Sequence, residues 1–315
     1  MRRRPALAWI VLGAVLLVAC AAALATGPGG PAWRAGAPVL GLRLTRLLLG
    51  IVAGGVLGLV GASLQGLLRN PLVDPYTLGV SSGAAFGTTV VLAAGLGTSL
   101  LMPVAGFAGA LGTMLLVWLL ARVRGRVTVT GLVLAGIITS FLFSALVMLL
   151  VVASRRPLAQ AVYLLMGRLN VAFTRDSLAL FAGSGVLLVA GAAVLLASAR
   201  ELDIMSTSEE TARSLGVETG RVTRTVFVAS SLLVGLVVSF TGAISFVGLV
   251  VPHLCRMLLG PGLRRNLPAS FVLGAGLLVL ADVLSRALVP GGLPLSIVTA
   301  LVGVPFFIWL LRNRL

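Results

Sequence analysis

The hydrophobic and polar positions of this chain alternate in long blocks, with apolar stretches of membrane-spanning length separated by short clusters of Arg, Pro and Gly. A helix of about 20 apolar residues crosses a bilayer core ~30 Å thick. The pattern therefore predicts about ten transmembrane helices, at 6–26, 45–68, 77–96, 101–121, 130–152, 177–199, 222–241, 244–259, 268–288 and 295–312. An even number of spans places both termini on the same side of the membrane.

The composition agrees with a membrane-embedded chain. Of 315 residues, 59% are hydrophobic and 10% are charged, which is more apolar surface than a water-soluble domain of this size can bury. We predict an all-α, polytopic membrane protein with one transmembrane domain over 1–315, in contact with membrane lipid. Cys20 and Cys255 lie in separate apolar stretches, so they are interpreted as small buried side chains, and no metal site or cofactor is predicted.

The first apolar stretch has two interpretations. Three arginines precede it and Leu17-Val-Ala-Cys20 resembles a lipoprotein cleavage site, which favours a removable signal. The stretch continues past Cys20 to spanning length and further spans follow it. We therefore interpret it as a retained first helix.

The distribution of arginine predicts the orientation. The formal net charge is +16, but the basic residues lie between apolar stretches and form no single patch, so no nucleic-acid partner is predicted. With ten helices, sixteen arginines lie on the side of the termini and eight on the other side. Basic residues are enriched in short cytoplasmic loops. Both termini are therefore predicted to be cytoplasmic, in the cell inner (plasma) membrane.

The chain contains no lysine. A phosphate-binding P-loop requires a Lys after its glycines. The chain is therefore not predicted to be an enzyme, and any ATP must be hydrolysed by a separate subunit.

Small residues recur every fourth position in two spans. They are Gly50, Gly54, Gly58, Ala62 and Gly66 in one span, and Ser231, Gly235, Ser239 and Ala243 in the other. Such stripes permit close helix packing in membranes. Similar Arg-x-Thr-Arg strings precede both stripes, and five spans separate the paired helices. This indicates an inverted internal repeat with halves at about 43–152 and 221–312, as in many transporters.

Several motifs carry a specific resemblance. They are Arg-Leu-Thr-Arg at 43–46, Gly-Ala-Ser-Leu-Gln-Gly-Leu-Leu-Arg-Asn-Pro-Leu-Val-Asp-Pro-Tyr-Thr-Leu-Gly-Val-Ser-Ser-Gly-Ala at 61–84, Leu-Ala-Gly-Ile at 134–137, Glu-Thr-Ala-Arg-Ser-Leu-Gly at 210–216, Phe-Val-Gly-Leu-Val-Val-Pro-His at 246–253, and Leu-Pro-Leu-Ser-Ile-Val-Thr-Ala-Leu-Val-Gly-Val-Pro-Phe-Phe at 293–307. In this order the chain resembles the FecCD/BtuC-type permeases of iron-siderophore, haem and vitamin B12 importers. The resemblance implies a type II ABC importer permease. Its implied partners are ATP-binding cassette ATPase subunits, a periplasmic substrate-binding protein and a second permease copy, most simply as a homodimer.

The longest charged stretch forms a loop at 200–221 on the predicted cytoplasmic side. Ser206-x-x-Glu209 matches a capping box and Gly216 a helix stop, which predicts a short helix from about Thr207 to Leu215. An ordinary solvated helix is the alternative interpretation. The resemblance implies that this segment couples to the ATPase through Ser206, Glu209, Glu210, Arg213, Leu215 and Gly216.

The resemblance also implies docking and pathway residues. Arg43, Arg46 and Arg286 match arginines that receive acidic side chains of the binding protein, although Asp282 could instead pair with Arg286 four residues later. Asn70 and Leu72 match residues that narrow the cytoplasmic exit. A pathway is expected along Thr139, Ser140 and Ser144 and the segment 163–168, with Gly167 and Arg168. Arg168 stands where similar permeases often carry a small residue.

Two other classes of function were weighed. An ion-coupled secondary transporter would show inverted repeats and place ionisable groups within the membrane. An intramembrane enzyme would use His253, Asp282 or a serine, but it needs several polar groups at one depth, and His253 is better interpreted as a packing residue. The cargo, whether siderophore-bound iron, haem or cobalamin, is not determined by the sequence.

Overall fold

The computed structural model describes residues 5–27, 30, 36–123, 126–154, 166–170, 174–289 and 292–314. These residues form twelve α-helices: α1 (Pro5–Ala25), α2 (Ala37–Leu67), α3 (Val80–Ala93), α4 (Leu101–Leu120), α5 (Val129–Ala153), α6 (Arg175–Ala197), α7 (Ala199–Thr207), α8 (Glu209–Ser214), α9 (Thr219–Thr241), α10 (Val247–Leu259), α11 (Leu263–Leu288) and α12 (Leu295–Arg314). A 3-10 helix, Pro75–Leu78, precedes α3. Two strands, Arg122–Val123 and Arg126–Val127, pair antiparallel between α4 and α5.

Seven of the helices within the described residues are long and apolar enough to cross a membrane, namely α1, α2, α4, α5, α6, α9 and α11. The helices α3, α10 and α12 are apolar but shorter. The predicted all-α, multi-pass architecture is therefore confirmed, whereas the count of ten spans stays a prediction.

The predicted helix at 45–68 begins earlier in the structure, at Ala37. The predicted helix at 77–96 is shorter, at Val80–Ala93, and its first residues are not α-helical. Asp74 caps a 3-10 turn instead, because its Oδ1 accepts a hydrogen bond of 3.0 Å from the backbone N of Tyr76. Gly79 then adopts a left-handed conformation with φ 77°, and only after it does α3 begin, at Val80. A residue with positive φ interrupts an α-helix, so the regular helix is shorter than its apolar sequence.

The chain divides into two compact units, which alternate along the sequence. The first unit comprises Met1–Ala62, Met166–Val171 and Ile244–Leu315, and the second comprises Ser63–Leu165 and Ala172–Ala243. In the first unit, α1 packs on α11, and α10, α11 and α12 contact one another. In the second unit, α9 packs against α3, α4 and α6.

The glycine stripe of α2 makes backbone contact inside the first unit. A Cβ atom added at Gly54 would overlap the carbonyl of Gly274, and one added at Gly58 would overlap the carbonyl of Ser270, both on α11. Gly61 lies equally close to the carbonyl of Gly248 on α10. The predicted close packing by small residues is confirmed for this part of the stripe, and it leaves no room for a side chain.

Replacement of Gly58 by Ala tests this packing. We expect Gly58→Ala to destabilise the purified protein by about 1 to 3 kcal/mol, because the methyl group must push two backbones apart. The matched control is Gly41→Ala in the same helix, where nothing lies within 4 Å. This control should be neutral or stabilise by up to ~1 kcal/mol, since Ala favours helix. Equal melting temperatures for the two variants in detergent would contradict the packing.

The second unit uses small residues in the same way. Gly235 of α9 lies against Ala110 of α4, and Ser239 lies against Gly106. Near one end of this contact, Trp118 packs on Phe227 with ring centroids 5.6 Å apart, and the guanidinium carbon of Arg224 lies 5.6 Å from the Trp118 ring. The second predicted stripe therefore also serves helix packing.

Other helices present apolar side chains outward. On α5, Phe141 is 74% exposed and Val152 is 73% exposed, and on α6 Val186 is 73% exposed. Contiguous exposed apolar surface is not compatible with water. These faces are therefore available to lipid or to another membrane subunit.

Candidate functional site

The charged loop folds into two short helices, α7 and α8, and one predicted cap is wrong. Ser206 lies in the last turn of α7, where its Oγ donates a hydrogen bond of 2.7 Å to the carbonyl of Asp203. Ser208, in an extended conformation with φ −162°, is the N-cap of α8, and its Oγ accepts from the backbone N of Thr211 at 3.4 Å. The chain thus leaves one helix before entering the next, and the predicted helix from Thr207 to Leu215 spans Glu209–Ser214.

The predicted helix stop at Gly216 is confirmed. The φ angle of Gly216 is 81°. Its backbone N–H donates to the carbonyl of Arg213 at 3.0 Å, and the backbone N–H of Val217 donates to the carbonyl of Ala212 at 2.9 Å. This is a Schellman motif, in which glycine adopts the left-handed conformation without steric cost. The motif gives α8 a defined end.

Helix α8 has one buried residue, Ala212, and one half-buried residue, Glu209, and its other residues are exposed. Ala212 is fully buried, whereas Leu215 is 65% exposed directly after the helix. The exposed residues also include the predicted coupling residues Glu210, Arg213 and Gly216. Leu215 is thus a single apolar side chain among charged residues, on a surface that is open to a protein partner.

A cavity of about 720 Å³ adjoins the end of α8. It is lined by residues from the end of α6, from α7, from the turn after α8 and from the first turns of α9: Ala197, Ser198, Arg200, Glu201, Ile204, Leu215, Gly216, Val217, Glu218, Arg221, Val222 and Thr225. Its walls carry charges of both signs beside aliphatic side chains. This combination suits a protein surface better than a small apolar ligand.

Ion pairs surround Glu209, the first residue of α8. Its Oε1 lies 2.6 Å from Nη2 of Arg213, one helical turn later. Arg213 also donates through Nε to the hydroxyl of Thr219 at 3.3 Å. The second carboxylate oxygen lies 3.9 Å from Nη2 of Arg69, which follows α2. No pattern in the sequence indicates this last pair, because its members belong to separate motifs.

The predicted gate residues Asn70 and Leu72 lie in a tightly bonded loop. The backbone N of Leu72 donates to Oδ1 of Asn70 at 2.9 Å, which closes an Asx turn. The buried Gln65 side chain donates to the carbonyl of Val73 at 3.1 Å. Leu72 itself is 53% exposed. The loop therefore presents an apolar side chain on a well-defined backbone.

The predicted pathway hydroxyls on α5 are bonded mainly to their own helix. Thr139 is buried, and its Oγ1 donates to the carbonyl of Ala135 at 2.8 Å. Ser140 donates to the carbonyl of Gly136 at 2.8 Å, and Ser144 is exposed. Such bonds are common for hydroxyls in membrane helices. Their role in a pathway stays a prediction.

The segment after α5 is described only in part, since residues 163–165 of the predicted pathway lie outside the described residues. Gly167 is buried with φ 28°, and its carbonyl accepts from the backbone N of Leu295 at 2.8 Å. Arg168 is half-buried. Gly167 thus ties this segment to the start of α12.

In the first unit, three arginines predicted from their resemblance to docking residues gather around one carboxylate. Asp282 is buried, with a side chain only 4% exposed. Its Oδ1 lies 2.6 Å from Nη2 of Arg46, whose Nε lies 2.9 Å from both carboxylate oxygens. Its Oδ2 lies 3.2 Å from Nε of Arg286. The predicted Asp282–Arg286 pair is confirmed, and the sequence missed the pair with Arg46.

Two further bonds hold this cluster to the end of α1. Arg43 is 8% exposed and donates to the carbonyl of Leu24 at 3.1 Å, while Arg286 donates to the carbonyl of Thr26 at 3.1 Å. We call Arg43, Arg46, Asp282 and Arg286 the arginine cluster. One negative and three positive charges leave it with a net positive charge, so it suits an acidic group on a partner.

The arginine cluster weighs against an ion-coupled carrier. Of the eight acidic residues in the chain, only Asp282 lies within an apolar helix beyond its first turn. Both of its carboxylate oxygens are already bonded to guanidinium groups, those of Arg46 and Arg286. His253, the other candidate for intramembrane chemistry, packs edge-on to Phe306 with ring centroids 6.1 Å apart, as expected for a packing residue.

Comparison with known proteins agrees with this architecture. The chain matches the FecCD transport family over residues 34–313. It is 41% identical over 277 residues to the cobalamin import system permease protein BtuC of Halobacterium salinarum, covering 87% of this chain and 73% of that protein. It is 38% identical over 283 residues to the hemin transport system permease protein HmuU of Yersinia pestis, covering 87% and 83%.

A solved structure of a metal-chelate type ABC transporter in an inward-facing conformation shares the fold. It superposes with a TM-score of 0.88 at 32% identity, over 98% of this chain and 99% of that one. A family match over most of the chain and a shared fold lead to one conclusion. The chain is a multi-pass membrane protein that belongs to the FecCD transport family.

Proposed function

We propose that this chain is the permease subunit of an ABC importer that moves a metal chelate across the cell inner membrane. The observation that carries the proposal is the segment 198–221, which interrupts the apolar helices with a capped, charged helix and an exposed Leu215 beside a large cavity. A chain without lysine has no P-loop of its own. Its energy must enter through contact with another protein, and this segment is the surface best suited to that contact.

In this proposal both termini and the segment 198–221 are cytoplasmic, and an ATP-binding cassette subunit contacts Glu210, Arg213, Leu215 and Gly216. Ser206 and Glu209 support the segment, since Ser206 bonds within the last turn of α7 and Glu209 pairs with Arg213. Binding and hydrolysis of ATP would move α8 and alternate the access of the permease. A second copy of the chain would cover exposed apolar surface such as that of α5.

The arginine cluster is the proposed docking site for a periplasmic substrate-binding protein. Its net positive charge favours acidic side chains, and Arg46 retains 21% of its side-chain exposure. Arg43 and Arg286 would contribute to docking mainly through their positive electrostatic potential. Both side chains are largely buried and are already bonded to the end of α1. We propose Arg46 as the first contact.

The proposed pathway follows α5 and reaches a gate at Asn70 and Leu72. On α5, the exposed Ser144 is proposed to contact cargo, while Thr139 and Ser140 would shape the helix behind it. Gly167 and the half-buried Arg168, in the first unit, are proposed as pathway residues from the resemblance alone. The relatives are named for cobalamin and hemin, both of which are bulky metal chelates. We therefore propose the same class of cargo for this chain, with a ferric siderophore as a third member.

Uptake into proteoliposomes tests the proposal. The permease, with its cognate ATPase and binding protein, should accumulate radiolabelled cobalamin, hemin or a ferric hydroxamate chelate only when ATP is present on the ATPase side. An imposed proton or sodium gradient without ATP should give no uptake. Uptake driven by the gradient alone would overturn the proposal and identify a secondary transporter.

A further inference from the structure

An ion pair joins the proposed gate loop to the proposed coupling helix α8, both of which belong to the second unit. Arg69 immediately precedes the gate residue Asn70, and Glu209 is the first residue of α8. Their side chains approach to 3.9 Å between Nη2 and Oε2. An electrostatic contact therefore connects the proposed coupling helix to the proposed gate loop.

The backbone at Arg69 is unusual. Helix α2 ends in a Schellman arrangement, in which the N–H of Arg69 donates to the carbonyl of Gly66 and that of Asn70 donates to the carbonyl of Gln65. Arg69 occupies the left-handed position with φ 52°, where glycine is the favoured residue. Gly216 fills the equivalent position after α8. The end of α2 does not require an arginine, so the reason for one lies in its side chain.

The loop after Arg69 is built to transmit a displacement. The Asx turn between Asn70 and Leu72 and the bond from Gln65 to Val73 fix the backbone on both sides of Pro71. A rigid loop moves as a body when its first residue is pulled. A shift of Arg69 should therefore reach Asn70 and Leu72 without being absorbed between them.

Glu209 is also positioned to respond to a partner. Its carboxylate lies between Arg69 and Arg213, and Arg213 is 63% exposed on the surface proposed to meet the ATPase. A partner group that binds Arg213 would weaken the Glu209–Arg213 ion pair. The carboxylate of Glu209 would then interact mainly with Arg69. Building on the proposed function, we propose that Arg69 and Glu209 are positioning residues that transmit the movement of α8 to the gate loop at 69–74.

The half-exposed pair should contribute little to folding, since its side chains are 39% and 40% exposed. Substitution of either residue should therefore change transport without a loss of folding stability, and the two effects can be measured separately. Arg69→Gly should keep or raise the melting temperature, because glycine prefers the left-handed conformation. It should also lower the number of cargo molecules transported per ATP hydrolysed by roughly two- to fivefold, which is the range that an exposed ion pair can supply. Arg69→Lys, which keeps the charge, should restore most of that ratio.

A double-mutant cycle identifies the partner of Arg69. Glu209→Gln should lower the transport ratio in the wild-type background and have a clearly smaller effect when Arg69→Gly is already present. Additive effects of the two substitutions, an unchanged ratio in Arg69→Gly, or a loss of transport that follows a loss of melting temperature would each overturn the proposal.

A second readout does not depend on transport, so it stands even if the proposed function fails. A spin label at Leu72→Cys, in a chain carrying Cys20→Ala and Cys255→Ala, reports the mobility of the gate loop. Glu209→Gln should increase that mobility, and Arg69→Gly should increase it to the same extent. A label that does not respond to Glu209→Gln would overturn the inferred link, whatever the chain transports.

Discussion

Replacement of Leu215 by Glu should reduce ATP-driven uptake by at least about tenfold while leaving the permease folded. Leu215 is 65% exposed beside the cavity at the end of α8, so the substitution removes no buried packing. Only a minority of interface residues cost more than about 1 kcal/mol when truncated, but here a carboxylate would in addition be desolvated at the contact, which costs roughly several kcal/mol more. Since 1.4 kcal/mol is a factor of ten, association with the ATPase should fall below the level needed for transport.

The measurement is ATP-dependent uptake in proteoliposomes, together with co-purification of the ATPase. Leu215→Met is the matched control, because it keeps an apolar side chain of similar volume and should transport normally. The melting temperature of Leu215→Glu should equal that of the wild type. Normal uptake by Leu215→Glu would show that the ATPase engages another surface.

Replacement of Asp282 by Asn should strongly destabilise the first unit. The carboxylate compensates Arg46 and Arg286 in a site where its own side chain is 4% exposed. Its neutralisation leaves three arginines facing one another at the end of α1. Breaking a buried ion pair costs 3 to 5 kcal/mol, and we expect roughly 2 to 3 kcal/mol because Arg46 keeps some contact with solvent.

The melting temperature of the purified protein in detergent measures this effect. Asp176→Asn is the control, because Asp176 is an exposed carboxylate in the first turn of α6 and its loss should change stability by only a few tenths of a kcal/mol. If Asp282→Asn has the same melting temperature as the wild type, the arginines are stabilised by groups other than this carboxylate.

The helices were predictable because a bilayer requires long apolar segments, and their pattern is visible without tertiary information. The ends were less predictable. Apolar sequence continues through Gly79, where a left-handed residue separates the 3-10 helix from α3. Likewise Ser206 and Ser208 both suit an N-cap, and only the extended backbone at Ser208 selects the second. Local composition does not distinguish such alternatives.

The candidate site was predictable where its parts are close in sequence. Asp282 and Arg286 lie one helical turn apart, so their pair follows from helix geometry. The pairs of Asp282 with Arg46 and of Glu209 with Arg69 join distant segments. A buried aspartate does signal that a cation must be near it, but several arginines could satisfy this requirement. Only the packing of the helices selects among them.

The glycine contacts of α2 have a mechanical consequence. The carbonyls of Gly274, Ser270 and Gly248 lie directly against the glycines of α2. No flexible side chain separates the backbones there, so none can change rotamer to let the helices slide. Sliding of α2 past its neighbours would require the helices first to separate and lose that contact. The portion of α2 within the first unit should therefore move together with α10 and α11 as one rigid body during each transport cycle.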